Sequence, residues 1–132
     1  MMLLALLLAA PQATGDPRPN CKDPQTQLDI NQCASLETAR ADAAMNKQWV
    51  ITKAKVAEMD KGGGVNPSGK RGSYAAALLA SQRAWLAYRD AECQIESFAM
   101  RGGSGEWMLH ADCMIKLTLA RTEELSDLGP QH

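Results

Sequence analysis

Two cysteines placed symmetrically about a glycine-rich bend constrain this chain more than any other feature. Cys93 and Cys113 each lie ten residues from Gly103, within the run 102–105, which contains three glycines and one serine. If both flanking segments are helices that fold back at this bend, the two cysteines lie level, each roughly 10–12 Å from the turn. The spacing therefore predicts a helical hairpin cross-linked by a Cys93–Cys113 disulfide.

The remaining cysteines favour a second disulfide. Four cysteines permit three pairings, of which the hairpin geometry favours Cys93–Cys113. That choice leaves Cys21–Cys33 by elimination, which requires the segment 21–25 to fold back along the following helix. A small chain with an export signal commonly uses its cysteines in this way.

Metal binding is the competing use of four cysteines. No Cys-x-x-Cys spacing occurs, and the two histidines, His110 and His132, form no ligand motif. The sequence therefore favours disulfides over zinc, and no motif for another metal or cofactor is present.

Turn signals divide the chain into three helices. Thr26 and Asp29 resemble a capping box, Ser73 is a suitable N-cap, and a glycine-rich loop occupies 61–72. Few β-branched residues and many Ala, Leu, Met, Lys, Glu and Gln support helix between these signals. The predicted helices cover about residues 26–59, 73–99 and 106–128. We expect an all-α fold, a small antiparallel three-helix bundle stapled by two disulfides.

The N-terminal residues differ from the rest of the chain. Residues 1–15 contain an apolar run that is too short to span a bilayer, followed by small residues and cleavage candidates at Ala13 or Gly15. They resemble a secretory signal peptide, although no Lys or Arg precedes the run. A buried N-terminal helix is the alternative. We expect a coil over 16–25, the helical domain over 26–128 and no integral membrane segment.

The charge balance narrows the class of partner. The chain of 132 residues carries 14 Lys and Arg against 15 Asp and Glu, a formal net charge of −1. This composition provides no broad basic field for a phosphate backbone, which excludes nucleic acid as the expected partner.

Five motifs occur in order along the predicted helices. They are Thr26-Gln27-x-Asp29-x-Asn31-x-Cys33-Ala34, Ala41-Asp42-x-x-Met45-Asn46, Gln82-x-x-Trp85-x-x-x-Arg89-Asp90-x-x-Cys93, Gly102-Gly103-Ser104 with Cys113, and Leu117-Thr118-x-x-Arg121-Thr122-x-x-Leu125. Together they resemble the lysozyme inhibitor LprI-like domain family over about residues 21–128. The resemblance implies a secreted or periplasmic bacterial helical domain with cysteine bridges that inhibits lysozyme. Trp49, where a tyrosine is common, and the glycine-rich insertion at 61–72 depart from the family pattern.

The carboxylates do not form an evident catalytic pair. Glycan cleavage requires two acidic groups that face one cleft, whereas Asp90 and Glu92 are two residues apart on a helix and point in different directions. No Ser/His/Asp ordering occurs, and a cysteine nucleophile would compete with disulfide formation. We therefore expect no enzyme. An acidic pair in one pocket would be needed for the catalytic alternative.

The polar residues of the second and third helices have two interpretations. Arg89 could offer its guanidinium to a partner, but it lies four residues from both Trp85 and Cys93, on the face turned toward the hairpin partner. We therefore favour an internal network in which Arg89 pairs with an acid such as Asp42 or Glu124, or with carbonyl groups at a helix end. The structural polar network is expected to comprise Gln82, Arg89, Asp90 and Arg121, and the aromatic residues Trp85 and Tyr88 are expected in the core.

The candidate binding residues lie in loops. Trp107 follows the glycine bend at a helix start, where a partly exposed tryptophan would suit a protein partner. The loop 61–72 either probes a cleft or only connects two helices. The candidate contacts are Arg101, Gly102, Gly103, Ser104, Glu106, Trp107, Lys70 and Arg71.

Two functions remain open at this point. The first is a periplasmic or secreted lysozyme-inhibitor-like protein that inserts loop residues into a partner's cleft. The second is an envelope-associated structural or interaction module that binds another envelope protein without inhibiting lysozyme. Charge is the objection to the first, because lysozymes are usually basic and a net charge of −1 steers association only if the acids cluster on one face.

Overall fold

The computed structural model describes residues 18–64 and 72–129 and contains three long helices. They are α1 (Gln27–Met59), α2 (Tyr74–Ser97) and α3 (Ser104–Asp127). A π-helical turn, Asp60–Gly64, follows α1, and a short 3-10 turn, Phe98–Met100, follows α2. Neither described stretch contains a strand. The predicted all-α architecture is confirmed.

Of the two predictions for the N-terminal residues, only the second concerns residues that the structure describes. The predicted signal segment 1–15 lies outside the described residues. Residues 18–26 form bends and turns without helix, in the region predicted as coil. Within the described stretches, no helix combines the length and apolar character that crossing a bilayer requires.

Side-chain caps define where α1 and α2 begin. Thr26 Oγ1 accepts a hydrogen bond from the Asp29 backbone N–H at 3.1 Å, and Asp29 Oδ2 accepts one from the Thr26 N–H at 3.1 Å. The predicted capping box is therefore present. Ser73 Oγ accepts from the Ala76 N–H at 3.0 Å. These bonds satisfy N–H groups that the first turn of a helix leaves without intrahelical partners.

The connection between α2 and α3 lies two residues earlier in the chain than the sequence predicts, with the same length of six residues. The α-helical hydrogen bonding of α2 ends at Ser97 and not near Ala99, and α3 begins at Ser104 and not near Glu106. Gly102 allows the reversal because its φ of +81° lies in the left-handed region, which glycine adopts without a Cβ clash.

Contacts between α1 and α3 show that these two helices run parallel. Near their starts, Gln27 Nε2 lies 3.6 Å from Met108 Sδ. Near their ends, Thr52 Oγ1 donates to the Leu125 carbonyl oxygen at 2.8 Å. The intervening helix α2 runs antiparallel to both, as the predicted hairpin requires.

Both disulfides lie at one end of the bundle, which is formed by the start of α1, the end of α2 and the start of α3. Cys21–Cys33 joins the N-terminal coil to α1, and Cys93–Cys113 joins α2 to α3. Both predicted pairings are confirmed. This end is termed the cysteine end, and the opposite one, with the Asp60–Gly64 turn, is termed the loop end.

The hydrophobic core follows one stripe along each helix. Its buried residues are Met45, Val56, Leu78 and Leu125, and Trp49, Met59, Trp85 and Leu86 pack against them. The core prediction for Tyr88 is wrong, because this side chain is 52% exposed. Arg89 occupies the inward position of α2, and the rotation of about 100° per residue turns the preceding side chain toward solvent.

Candidate functional site

Hydrogen bonds and close packing hold the α2–α3 turn in one conformation. The Gly102 N–H donates to Glu106 Oε2 at 2.7 Å, and the Gly103 N–H donates to the Met100 carbonyl at 3.0 Å. Gly105 is buried against the Met100 side chain, whose flexible end would have to move to admit a Cβ at this position. The turn therefore presents a defined surface.

The exposed residues of the turn include one aromatic and one positively charged side chain. Trp107 is 40% exposed, as its position after the glycine bend suggested. The Arg101 guanidinium lies 4.1 Å from the centroid of the Phe98 ring, a cation–π contact. Ser104 and Gly103 are also exposed. Together, Arg101 to Trp107 provide a polar turn with one large apolar side chain available for contact.

Trp107 lies between two open grooves and contributes to both. The α2–α3 groove has a volume of about 570 Å³. The α1–α3 groove has a volume of about 300 Å³. The side chains that line the α2–α3 groove include those of Asp90, Gln94, Phe98, Glu106, Trp107 and His110. His110 also lines both grooves, and Asp42 lines the second.

Charge is distributed unevenly between the two ends of the molecule. Residues 18–38 and 90–114, which build the cysteine end, carry eight Asp and Glu against three Lys and Arg, a formal net charge of −5. The other described residues, 39–64, 72–89 and 115–129, carry six against nine, a net charge of +3. The small charge of the whole chain therefore conceals an acidic end.

Arg89 connects all three helices beneath this surface. Its side chain is only 10% exposed, and its Nη1 donates to Asp42 Oδ1 at 3.1 Å and to Thr118 Oγ1 at 3.2 Å. Its Nε donates to Asp90 Oδ1 at 3.1 Å, and the guanidinium lies 5.3 Å from the centroid of the Trp85 ring. Of the two acids that the sequence offered as partners, the structure places Asp42 beside Arg89.

Arg121 forms a second buried cluster on the same tryptophan. Its Nε donates to Gln82 Oε1 at 3.0 Å, and its Nη1 donates to Glu124 Oε2 at 2.9 Å. Its Nη2 donates to Ser81 Oγ at 2.9 Å, and its guanidinium lies 5.8 Å from the centroid of the Trp85 ring. The structure thus places Gln82, Arg89, Asp90 and Arg121 in two clusters that meet at Trp85. Both clusters bond within the protein.

The α2–α3 turn and the described flanks of the 61–72 loop lie at opposite ends of the bundle. Lys70 and Arg71 fall outside the described residues. The described flanks of that loop lie at the loop end, where Asp60 Oδ1 accepts from the Tyr74 N–H at 2.8 Å. The α2–α3 turn lies at the cysteine end, beyond the 24 residues of α2, a distance of roughly 36 Å.

The α2–α3 groove does contain two acidic residues, Asp90 and Glu106, which the sequence reading of carboxylate pairs did not identify. A glycosidase needs one carboxyl group kept protonated by a desolvated setting. The Asp90 side chain is 65% exposed and paired with Arg89, and Glu106 accepts a backbone hydrogen bond. The groove therefore offers an anionic lining and lacks the separated environments of an acid–base pair.

His110 and Gln94 are groove residues that the sequence reasoning missed. A signal for His110 was present, because it follows Trp107 by three residues and such pairs share a helix face. Gln94 follows Asp90 by four residues on α2 and lies on the same face. Among the described residues, no group of three His, Cys, Asp or Glu side chains is placed to hold a metal ion.

The fold and its surface define a class: a disulfide-stapled helical bundle that presents an acidic, tryptophan-bearing end. Residues 19–125 match the family described as "Lysozyme inhibitor LprI", and the chain belongs to that family. It is also 38% identical over 125 residues to an uncharacterized protein of Rhizobium meliloti, covering 95% of this chain and 89% of that protein. No solved structure matches. Membership of an inhibitor family implies a protein partner. The family and the two disulfides are consistent with an extracytoplasmic location.

Proposed function

We propose that this protein is an exported, non-enzymatic lysozyme-inhibitor-like protein that occludes its partner's cleft with the cysteine end. The observation that carries the proposal is the position of Trp107, exposed between two grooves on the acidic end of a cross-linked bundle. Buried tryptophan anchors commonly supply much of the energy of protein interfaces. The family supports lysozyme as the partner.

The distribution of charge answers the objection that a net charge of −1 for the whole chain is too small to steer association with a basic partner. A net charge of −5 at the cysteine end would steer a basic protein such as lysozyme toward that end. The acidic lining of both grooves would then face basic side chains at the rim of the partner's cleft.

Rigidity also supports an occluding role. A surface that is already ordered before binding loses less conformational entropy on association. The Cys93–Cys113 bridge and the hydrogen bonds of Gly102 and Gly103 order the turn in the free protein. Export is supported by the apolar N-terminal run and by the use of all four cysteines in disulfides.

The test is inhibition of cell-wall lysis by c-type and g-type lysozymes with the purified, oxidised protein. We expect inhibition at micromolar concentrations. Trp107→Ala should weaken it by a factor of roughly 30, the equivalent of about 2 kcal/mol of binding energy. Tyr74→Ala, at the loop end and also exposed, is the matched control and should inhibit like the native protein.

The outcomes separate the two functions left open by the sequence. No inhibition by the folded protein of either lysozyme class at micromolar concentrations would refute the proposal and favour an envelope interaction module. Inhibition that Trp107→Ala leaves intact but Tyr74→Ala abolishes would move the binding surface to the loop end.

A further inference from the structure

The α2–α3 groove has two walls of different origin. α2 and the turn that follows it contribute Asp90, Gln94 and Phe98, and α3 contributes Glu106, Trp107 and His110. Its volume of about 570 Å³ lies within the range of protein sites that take a small ligand or a single extended side chain.

Both carboxylates of the groove keep capacity to accept further hydrogen bonds. Asp90 uses Oδ1 for the bond from Arg89, and Glu106 uses Oε2 for the bond from Gly102. A carboxylate has two oxygens and about four acceptor positions. Oδ2 of Asp90 and Oε1 of Glu106 therefore remain suited to a donor that enters the groove, and the lining contains neither Lys nor Arg.

The aromatic side chains of the groove favour the same kind of ligand. Tryptophan has the strongest attraction for a cation over its ring face, followed by tyrosine and phenylalanine. Phe98 already has the Arg101 guanidinium 4.1 Å from its ring centroid, so an aromatic ring of this turn already holds a cation. Trp107 lines the groove a few residues further along the chain and is 40% exposed.

We infer that the α2–α3 groove is a receptor site for one cationic side chain, a lysine ammonium or an arginine guanidinium, of the protein partner. Asp90 and Glu106 accept its hydrogen bonds, and Trp107 contacts its apolar stem and charge. The inference rests on the proposed function, because it describes how the proposed surface recognises a basic protein. It adds the class of side chain that the groove binds, a lysine or an arginine.

The first test uses a short peptide in place of a protein partner, so its result does not depend on lysozyme. An acetylated, amidated Gly-Arg-Gly-Arg-Gly peptide is titrated into the 15N-labelled protein, and its citrulline counterpart serves as the uncharged control. We expect millimolar binding of the arginine peptide, with shifts of the Trp107 indole and the Gln94 and Gly103 amide signals. The citrulline peptide should leave these signals unchanged.

The second test compares two charge variants of equal net charge. Asp90→Asn with Glu106→Gln keeps the oxygens that accept from Arg89 and Gly102 and should weaken arginine-peptide binding at least about tenfold. Glu58→Gln with Glu123→Gln removes two exposed carboxylates outside the groove and should bind the peptide like the native protein.

Three results would overturn the inference. Two concern the peptides: equal shifts with the arginine and citrulline peptides, and no shift with either at millimolar concentration. The third is equal weakening by both double variants, which would indicate general charge attraction and no defined site. Failure of lysozyme inhibition together with selective arginine-peptide binding would refute the proposed partner while the cation site stands.

Discussion

Arg89 shows how one buried side chain can align three helices. Its guanidinium bonds to α1 through Asp42 and to α3 through Thr118, while its own helix supplies Asp90 and Trp85. The two acids are partly exposed, at 42% and 65% of their side chains, and water can solvate them without Arg89. Thr118 is only 1% exposed, so its hydroxyl depends more than the two acids do on the guanidinium for a hydrogen-bond partner.

Arg89→Met should destabilise the bundle by roughly 1–3 kcal/mol. The methionine keeps much of the apolar stem but removes the donors to Thr118 and to both acids. Urea unfolding followed by circular dichroism measures the free energy of unfolding. Arg83→Met, on the exposed side of the same helix, is the control and should change stability little. Equal losses in both variants would argue against the role of the network.

Thr52 supplies a hydrogen bond that α3 cannot make for itself. The carbonyl of Leu125 lies in the last turn of α3, where carbonyl groups have no intrahelical partner. Thr52→Val should cost about 1–2 kcal/mol, because the buried carbonyl loses the hydroxyl that donates at 2.8 Å.

Thr122→Val is the matched control for this measurement. The Thr122 hydroxyl donates to Thr118 O within α3, where the helix supplies its own hydrogen bonds. Its free energy of unfolding should change by less than about 0.5 kcal/mol. A Thr52→Val variant as stable as this control would show that water replaces the hydroxyl.

At the scale of elements, the end of α1 caps the start of α2. Asp60 Oδ1 and Oδ2 accept from the Tyr74 and Ala75 N–H groups at 2.8 and 3.0 Å. Asp60→Ala should cost about 1–2 kcal/mol, because it removes two charge-assisted bonds and the interaction with the helix dipole. Thermal unfolding measures the loss. Glu58→Ala, which removes only an exposed ion pair with Lys61, should have little effect.

The two disulfides should contribute unequally. Cys93–Cys113 closes a separation of 20 residues between two packed helices, and replacement of both cysteines by alanine should cost about 3 kcal/mol. Cys21–Cys33 closes 12 residues and attaches a coil, which regains freedom in the folded state when the bridge is removed. Its alanine pair should therefore cost less. Denaturant unfolding of both variants checks the order, and the reverse order would contradict it.

At the scale of the whole molecule, the uneven charge should appear in association kinetics. The rate of binding to the proposed partner, lysozyme, should fall as ionic strength rises, because the Debye length shortens from about 30 Å at 0.01 M to about 8 Å at 0.15 M. Stopped-flow or surface binding measurements give this slope. Asp90→Asn with Glu106→Gln should flatten it, and a rate that does not change with salt would contradict steering by the acidic end.

Local spacing in the sequence was enough to predict the helical hairpin and its Cys93–Cys113 cross-link, whereas Cys21–Cys33 followed only by elimination. The symmetry of Cys93 and Cys113 about Gly103 predicts the hairpin, because helix rise converts residue number into length. From the sequence, the partner of Arg89 could be narrowed only to an acid such as Asp42 or Glu124, or to carbonyl groups at a helix end. Glu124 lies three residues from Arg121 on its own helix, and only three-dimensional packing decides between these partners.

The grooves beside Trp107 could not be predicted for a related reason. They depend on how α2 and α3 are rotated about their axes, and a local pattern indicates which face is apolar but not the angle between two faces. The prediction that Tyr88 lies in the core was wrong for the same reason. Tyr88 is adjacent to the buried Arg89, and the rotation of about 100° between successive helix residues turns it toward solvent. Surface chemistry formed by two elements requires the assembled bundle.

Because all four cysteines lie at one end, we expect local unfolding to occur more readily at the loop end than at the cysteine end. Local opening of a protein begins where few constraints join neighbouring segments, and cross-links suppress it. The helix termini at the loop end can fray without separating α2 from α3 at the cysteine end, where Cys93–Cys113 joins them. Partial unfolding there would leave the spacing of the grooves unchanged, so the surface proposed to meet a partner belongs to the more persistent half.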